Sequence, residues 1–326
     1  MNIAYASNDN FAEMLGISMI SLLENNTGCE DISIYVLDDG ISEENKSLLM
    51  RITDEYDRKI YFFNVKHLLD DDMKQQRGSL STFSRLYLNK LLPSEIEKIL
   101  YLDCDILVLK NLEDLYGFDI DNYYCAGVND CVSRSHLKAI GLNSGSNYFN
   151  AGVLLINLKM WREDNVTEKF EEFARKYNND VPYADQGIIN GILSSRSMRL
   201  SLKYNCYTAV YDFTYKDLMT FRKPQKYYSE LETEASKNDP SIVHFTTSFL
   251  SLRPWIEGCK HPFADEWLRY KTMSVWANAP MRKDERSAPK KLAVMIYRAL
   301  PNSVSVNIAG MLHAKIVPAI TSRKNI

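Results

Sequence analysis

Two aspartates separated by a single residue, Asp103 and Asp105, interrupt an otherwise apolar run from Ile99 to Leu109. Carboxylates set in so apolar a stretch are costly unless a cation or hydrogen-bond donors compensate them. In extended backbone, side chains two residues apart share a face, so both carboxylates would point the same way. Two oxygen ligands converging at a strand end suit a hard divalent cation that carries phosphates, Mg²⁺ or Mn²⁺. The competing reading is a strand end with two solvated turn aspartates.

Such a cation needs further ligands. His244, in the apolar stretch Ser241–Phe245, offers one, although a histidine there is also a common core residue. Arg85 lies on a helix predicted from Ser81 to Leu91, either solvated or set against an anionic ligand. Asn150-Ala151-Gly152 stands ahead of a buried strand, where small residues admit a ligand close to backbone and the amide can donate and accept. Asn150 could equally be a turn residue. Asp185 and Gln186 sit where a loop enters a new helix, as ligands or as caps, and Asp130 ends the strand Tyr123–Val128.

The elements that must position these residues follow from periodicity. Apolar strands at Ile3–Ala6, Ile32–Leu37 and Ile60–Phe63 alternate with helices starting near Phe11 and at Ser42. That alternation predicts βαβ units and a mainly parallel, Rossmann-like sheet of the α/β class. The polar cluster Ser7-Asn8-Asp9-Asn10 then falls at a strand's carboxyl end, where loops touch ligands, or serves as an Asx-rich cap. No GxGxxG or GxxxxGK[ST] occurs, so a metal becomes the leading candidate for holding phosphate. Asp70 to Ser79 reads as a polar loop, Lys159–Tyr177 as one helix, and His261-Pro262-Phe263 as the start of a helix bearing Trp267, Tyr270 and Trp276.

The net charge of −3 argues against general nucleic-acid binding but hides an asymmetry. Residues 282–326 carry nine Lys or Arg against Asp284 and Glu285, a net of +7, whereas the preceding residues carry 30 basic and 40 acidic groups, a net of −10. With Pro280 and Pro289 as boundary markers, the chain divides into a domain over 1–280 and a basic, apolar, helical extension over 281–326. The extension either lies on anionic lipid headgroups or forms a solvated helical cap, and the membrane reading is favoured. Six cysteines without a CxxC pair read as reduced thiols, and no secretory signal or spanning segment is evident. The expected location is cytoplasmic, peripheral at the inner face of the cell membrane.

The segments Ala6-Ser-Asn-Asp-Asn10, Phe83-Ser-Arg85-Leu86, Tyr101-Leu-Asp-Cys-Asp105, Phe149 to Asn157, Asp185-Gln186 and His244 occur in an order and spacing that cover roughly residues 1–260. In these the chain resembles the retaining glycosyltransferases of family 8, which include bacterial lipopolysaccharide galactosyl- and glucosyltransferases and glycogenin. The resemblance implies a GT-A-like single domain and a UDP-hexose donor carrying galactose or glucose. It also implies Mn²⁺, with Mg²⁺ as the alternative, and a glycan or glycolipid acceptor of the bacterial envelope. It makes Asp103, Asp105 and His244 the metal ligands, with Cys104 between them at the donor site. Ala6, Asn8 and Asn10 would line the uridine pocket, Arg85 would contact the donor sugar or diphosphate, and Arg253 would contact the diphosphate. Asn150, Ala151 and Gly152 would approach the sugar, Asp185 would accept from its hydroxyls, and Gln186 would lie beneath the anomeric carbon.

The chain departs from the family pattern in three places. Asn8 stands where aspartate is usual, though an amide can still accept from a base. The loop after the histidine, usually His-x-x-Gly-x-x-Lys-Pro-Trp, is longer here and lacks its glycine, with Arg253 in place of the lysine. The stretch from Trp255 to Trp276 also differs and is expected to shape the acceptor side. Because Gln186 is a poor nucleophile, retention points to same-face attack by the acceptor, with Asp130 and Asp185 as candidates for a transient covalent role. A sugar-nucleotide pyrophosphorylase would need a glycine-rich, basic N-terminal loop, which Ser7–Asn10 is not. A non-catalytic nucleotide-binding protein at the membrane would tolerate loss of a ligand or of Asp185-Gln186, and all are intact.

Overall fold

The computed structural model describes residues 1–66 and 81–316. The Asp70 to Ser79 segment and the basic residues Arg323 and Lys324 lie outside them. Among the described residues, the main sheet holds β1 (Asn2–Ser7), β2 (Ser33–Asp38), β3 (Lys59–Asn64), β4 (Lys98–Leu102), β6 (Cys125–Asn129), β7 (Phe149–Asn157) and β8 (Ser197–Arg199) in the order β3-β2-β1-β4-β7-β6-β8. The pairs β3/β2, β2/β1, β1/β4 and β6/β8 are parallel, and β7 runs antiparallel to both its neighbours. The α/β class and the mainly parallel sheet expected from the sequence are both present.

The apolar run around the two aspartates is not one strand. β4 ends at Leu102, the chain bends through Asp103–Asp105, and β5 (Ile106–Val108) enters a second sheet. That small sheet has the order β5-β10-β9, with β9 (Cys206–Tyr207) and β10 (Ile242–His244). A bend there lets one apolar run feed two cores, which explains why no polar residue was needed on either flank.

Helix α1 (Ala12–Glu24) is buried nearly all round, packed against strands of both sheets, and polar side chains in it and just beyond it answer backbone groups of the segment around β5. Ser21 Oγ accepts from Val108 N, and Asn26 Oδ1 accepts from Leu112 N. Outside it, α2 (Glu43–Glu55) is amphipathic, starts from a Ser42 side-chain cap and shows the core only Leu49, Ile52 and Thr53. On the opposite face of the sheet, Ile99, Tyr101, Leu154 and Ile156 pack with Trp161, Phe170 and the apolar residues of α3 (Ala184–Leu193).

Several local expectations are corrected. The 81–91 segment is helical but broken, with a 3₁₀ turn at Arg85–Tyr87 between two single turns. The helix expected over Lys159–Tyr177 is split at Asn165, which adopts the left-handed conformation (φ 49°). Asn150, Ala151 and Gly152 stand inside β7 and not ahead of it. The helix after His261 is α5 (Ala264–Met273), so Trp276 lies beyond its end. Trp255 and Trp267 are buried 6.0 Å apart, Trp276 presses on Gly16 of α1, and none of the three lines the cavity described below. α5 is tied to α1 by a buried ion pair between Lys271 and Glu13.

The extension is helical: α6 (Ala288–Ala299) and α7 (Asn302–Met311). It is docked on the rest of the chain. Gly310 comes so close to the end of α4 (Tyr215–Arg222) that a Cβ there would lie 2.6 Å from Thr220 O. Beyond α7, Ser133 Oγ donates to Ala314 O. No helix among the described residues is long and apolar enough to cross a membrane.

Candidate functional site

Strand register brings the candidate residues together. β1 and β4 are parallel neighbours, so the loops leaving their carboxyl ends, Asn8 and Asp103–Asp105, lie side by side, the usual place for a ligand in an open α/β sheet. Cys104 Sγ donates to Ala6 O at 3.2 Å and ties the two loops. Burial pushes that thiol up, so it acts as a neutral donor. β7 runs antiparallel to β4, which delivers its first residues to the same edge, where Asp103 N donates to Gly152 O at 2.8 Å. β10 pairs with β5 so that His244 faces Ile106, next to Asp105.

The result is a cavity of about 490 Å³. Of the residues singled out from the sequence, Ala6, Asn8, Arg85, Asp103, Cys104, Asp105, Asn150, Ala151, Gly152, Asp185, Gln186, His244 and Arg253 all line it. Two do not. Asn10 is exposed, and its backbone carbonyl accepts from Arg282 at 2.6 Å. Asp130 stands behind Gln186, whose Nε2 donates to Asp130 Oδ2 at 3.1 Å.

A chain of hydrogen bonds fixes which imidazole nitrogen of His244 is free. Gly152 N–H can only donate, so Asn150 Oδ1, 3.1 Å away, accepts. The second donor to Asn150 Oδ1 is Asn205 Nδ2 at 2.9 Å, which turns Asn205 Oδ1 toward His244 Nδ1 at 3.0 Å. Nδ1 therefore carries a proton, which leaves Nε2, 3.1 Å from Asp105 Oδ1 and 3.6 Å from Asp103 Oδ2, as the ring nitrogen placed to bind a metal. Three lone-pair donors thus converge, with ligand atoms of Asp103, Asp105 and His244 all within 4.8 Å of one another. A carboxylate–carboxylate–imidazole set of this kind fits a hard divalent cation.

Cations hold the outer oxygens. Arg85 is 7% exposed. Its Nη2 lies 2.8 Å from Asp103 Oδ1 and its Nε 3.1 Å from Asp185 Oδ2, while Nη1 donates to Ala151 O at 2.8 Å. Burial disfavours the charge, but Asp103, Tyr101 and Asp185 more than offset it, and the guanidinium stays charged. Breaking such a buried pair by removing one partner costs about 3–5 kcal/mol, so Arg85 serves the fold as well as the cavity. Arg253 Nη2 lies 3.1 Å from Asp105 Oδ2 and donates to Thr247 Oγ1 at 2.8 Å. Burial works to raise the Asp105 carboxyl, but His244 and Arg253 prevail and hold it below its ordinary value. Asp185 goes the other way: burial pushes it up against the pull of Arg85.

Asp185 and Gln186 open α3 from a strained approach. Tyr183 and Ala184 both have left-handed backbone (φ 66° and 56°), a conformation costing about 1–3 kcal/mol per non-glycine residue. Gly187 makes the turn feasible, since a Cβ there would sit 1.9 Å from Pro182 O. Gln186 Oε1 then accepts from Ala151 N at 3.1 Å, which holds the side-chain amide against β7. Asn8 Oδ1 is a buried acceptor without a partner among the described residues.

Sequence reasoning missed Asn205 and Thr247. Asn205 sits in no motif, Thr247 stands where the loop after His244 lacks the usual glycine, and the role of each arises from what lies across from it. Asn205→Ala should weaken Mn²⁺ affinity roughly 10–100-fold, the usual effect of removing a partner behind a metal-binding histidine. Isothermal titration with Mn²⁺ reads this directly, and unchanged affinity would show that Asn205 does not orient His244.

The sequence profile of glycosyl transferase family 8 matches residues 2–258. The chain belongs to glycosyl transferase family 8. General stress protein A of Bacillus subtilis (strain 168) is 28% identical to this family-8 chain over 280 residues, which are 85% of this chain and 94% of that protein. A lipopolysaccharide 1,2-glucosyltransferase of Escherichia coli is 27% identical over 289 residues, 86% of this chain and 81% of its own. Among solved structures, galactosyltransferase LgtC in complex with donor and acceptor sugar analogues superposes with a TM-score of 0.69 at 25% identity, covering 84% of this chain and 96% of that one. The family-8 fold is GT-A-like, with a helical C-terminal part following the matched region.

Proposed function

We propose that this family-8 glycosyltransferase moves galactose or glucose from a UDP-sugar to a hydroxyl of a bacterial envelope glycan of lipopolysaccharide type, with retention at the anomeric carbon. The observation that carries this reading is the convergence of Asp103, Asp105 and His244, with Nε2 presented by a fixed tautomer, at the wall of the 490 Å³ cavity. These three residues would hold Mn²⁺ or Mg²⁺. When bound, the ion supplies Lewis-acid neutralisation of charge on the departing diphosphate. Arg253 stands beside the carboxylates as a further cation for that charge. Asn8 Oδ1, an unpartnered acceptor, suits an N–H of the uracil ring. Asp185 accepts from sugar hydroxyls, held in place by Arg85.

Gln186 is an amide fixed by Ala151 N and Asp130, a poor nucleophile but a fitting dipole for positive charge developing on the sugar. Same-face attack by the acceptor hydroxyl follows, its proton passing to the leaving phosphate oxygen. Trapping a glycosyl adduct on Asp130 or Asp185 would overturn that route. The reading as a whole is tested by hydrolysis of UDP-galactose and UDP-glucose by purified protein with and without Mn²⁺. Absence of turnover with both, together with no change in tryptophan fluorescence on adding UDP, would sink it.

Residues 1–280 serve as the catalytic unit, and 281–326 as a peripheral contact with anionic membrane on the cytoplasmic side. Support comes from Leu292 and Met295 of α6, which are exposed alongside Lys290, Lys291 and Arg298. The double substitution Leu292→Asn, Met295→Asn should lower partitioning onto phosphatidylglycerol vesicles roughly tenfold or more. Partitioning that does not change would overturn the membrane contact and leave the transferase reading standing.

A further inference from the structure

Three cavities run side by side from the candidate donor site to the C-terminal helices. The 490 Å³ cavity shares Thr247 with a second, of about 370 Å³. The second shares Phe221, Phe249, Ala293 and His313 with a third, of about 400 Å³. Their chemistry changes in step. The middle cavity carries Arg222, Arg286 and Lys290 and, among the described residues, no acidic side chain in its wall. The outer one is an apolar groove between α6 and α7, formed largely by Ile296, Leu300, Ile308 and Leu312.

The middle cavity also has unanswered donors. Arg222 Nη1 lies 3.1 Å from His313 Nε2, which must accept because a guanidinium has only donors. Burial, with Arg222 beside it, pushes the His313 imidazole down to about 3, so the ring is neutral and its proton is on Nδ1. His313 Nδ1 and Arg222 Nε are then buried N–H groups without partners among the described residues. Arg286 is engaged with Asp284 at 3.0 Å, whereas exposed Lys290 has no ion-pair partner among the described residues. Asp212, the nearby carboxylate, accepts from the hydroxyls of Ser248 and Ser251 and also feels the charge of Arg222, so it offsets part of the cavity's positive charge. The middle cavity is therefore set for an anionic oxygen group.

We propose that the acceptor is an anionic glycolipid lying along this path. Its sugar reaches the donor cavity, its phosphate or carboxylate sits among Arg222, Arg286 and Lys290, and its hydrocarbon chain occupies the apolar groove. A soluble oligosaccharide would leave the groove unused, and a plain membrane contact has no need of a basic cavity that shares Thr247 with the donor cavity. The proposal rests on the transferase reading, because the donor cavity supplies one end of the path.

The test titrates the full chain with dodecyl phosphate below its micellar concentration, beside inorganic phosphate and uncharged dodecyl glucoside. Dodecyl phosphate should bind at least about tenfold more tightly than either control, since only it engages both cavities. Arg222→Gln and Lys290→Gln should each remove much of that advantage, as should Ile296→Asn and Ile308→Asn. The last three sites are exposed enough (Ile296 52%, Ile308 49%) to keep the fold, whatever Arg222→Gln does to it. Equal binding of all three probes, or variants that leave it unchanged, would overturn the proposal. So would binding that appears only after residues 317–326 are removed, since the groove would then belong to the chain's own end. Mn²⁺-dependent UDP-hexose hydrolysis is measured on the same samples. Hydrolysis without dodecyl phosphate binding overturns the glycolipid assignment alone. Binding without hydrolysis overturns the acceptor role through the donor reading beneath it.

Discussion

Asp105→Asn should reduce kcat/KM for UDP-hexose hydrolysis by at least about 10³-fold, and Mn²⁺ binding followed by electron paramagnetic resonance should be lost with it. The substitution keeps the shape of the side chain and removes only its charge. Among the described residues, Asp105 is the one carboxylate that meets both His244 Nε2 and the Arg253 guanidinium, each at 3.1 Å. Without it the two remaining ligands face a neutral amide, and Arg253 loses the charge that positions it. Circular dichroism should be unchanged, because the strands on either side, β4 and β5, are held by their own ladders. A rate within tenfold of the unaltered enzyme would remove Asp105 from the ligand set.

Gly152→Ala should cost about 10²-fold in the same assay although it adds a single methyl group and no charge. The new Cβ would lie 2.2 Å from His244 Cε1 and 2.8 Å from both His244 Nδ1 and Asp103 Oδ2. Neither neighbour can yield without cost. His244 is 3% exposed and held by Asn205, and Asp103 is held by Arg85 and by the Tyr101 hydroxyl at 3.1 Å. The methyl group must therefore push ligands apart and shift them from the arrangement a cation needs. Mn²⁺ affinity should fall together with rate while UDP-independent thermal stability changes much less. Normal affinity in this variant would mean that the three-residue cluster is not where the cation is held.

Much of the site was legible because its residues break local rules. Aspartates in an apolar run, a glycine and an asparagine beside a buried strand, and a histidine in a β segment are each costly or wasteful for folding alone, and each proved to line the cavity. The helical breaks were not legible. Ser81 to Leu91 reads as one helix, yet Arg85 tightens into a 3₁₀ turn where its guanidinium meets Asp103, Asp185 and Ala151 O together. Tyr183 and Ala184 carry no signal for left-handed backbone, and Gly187, close to Pro182 O, permits that turn without dictating it. Asn10 illustrates the reverse: it sits in a motif but faces outward, because the turn at Asp9–Phe11 rotates it away from the cavity.

The sequence by itself determined the α/β class, the alternation of strands and helices, the family and most of the residues that line the cavity. Residue type and period carry that information locally, since an apolar strand or an Asp-x-Asp is readable within a few positions. Only the tertiary structure decided which residues meet. The bend after β4 sends one run into two sheets, the pairing of β10 with β5 carries His244 to Asp105 across 139 residues, and a relay through Gly152, Asn150 and Asn205 selects the imidazole nitrogen that is free. Those outcomes depend on strand register and on hydrogen bonds between distant segments, which no local pattern encodes.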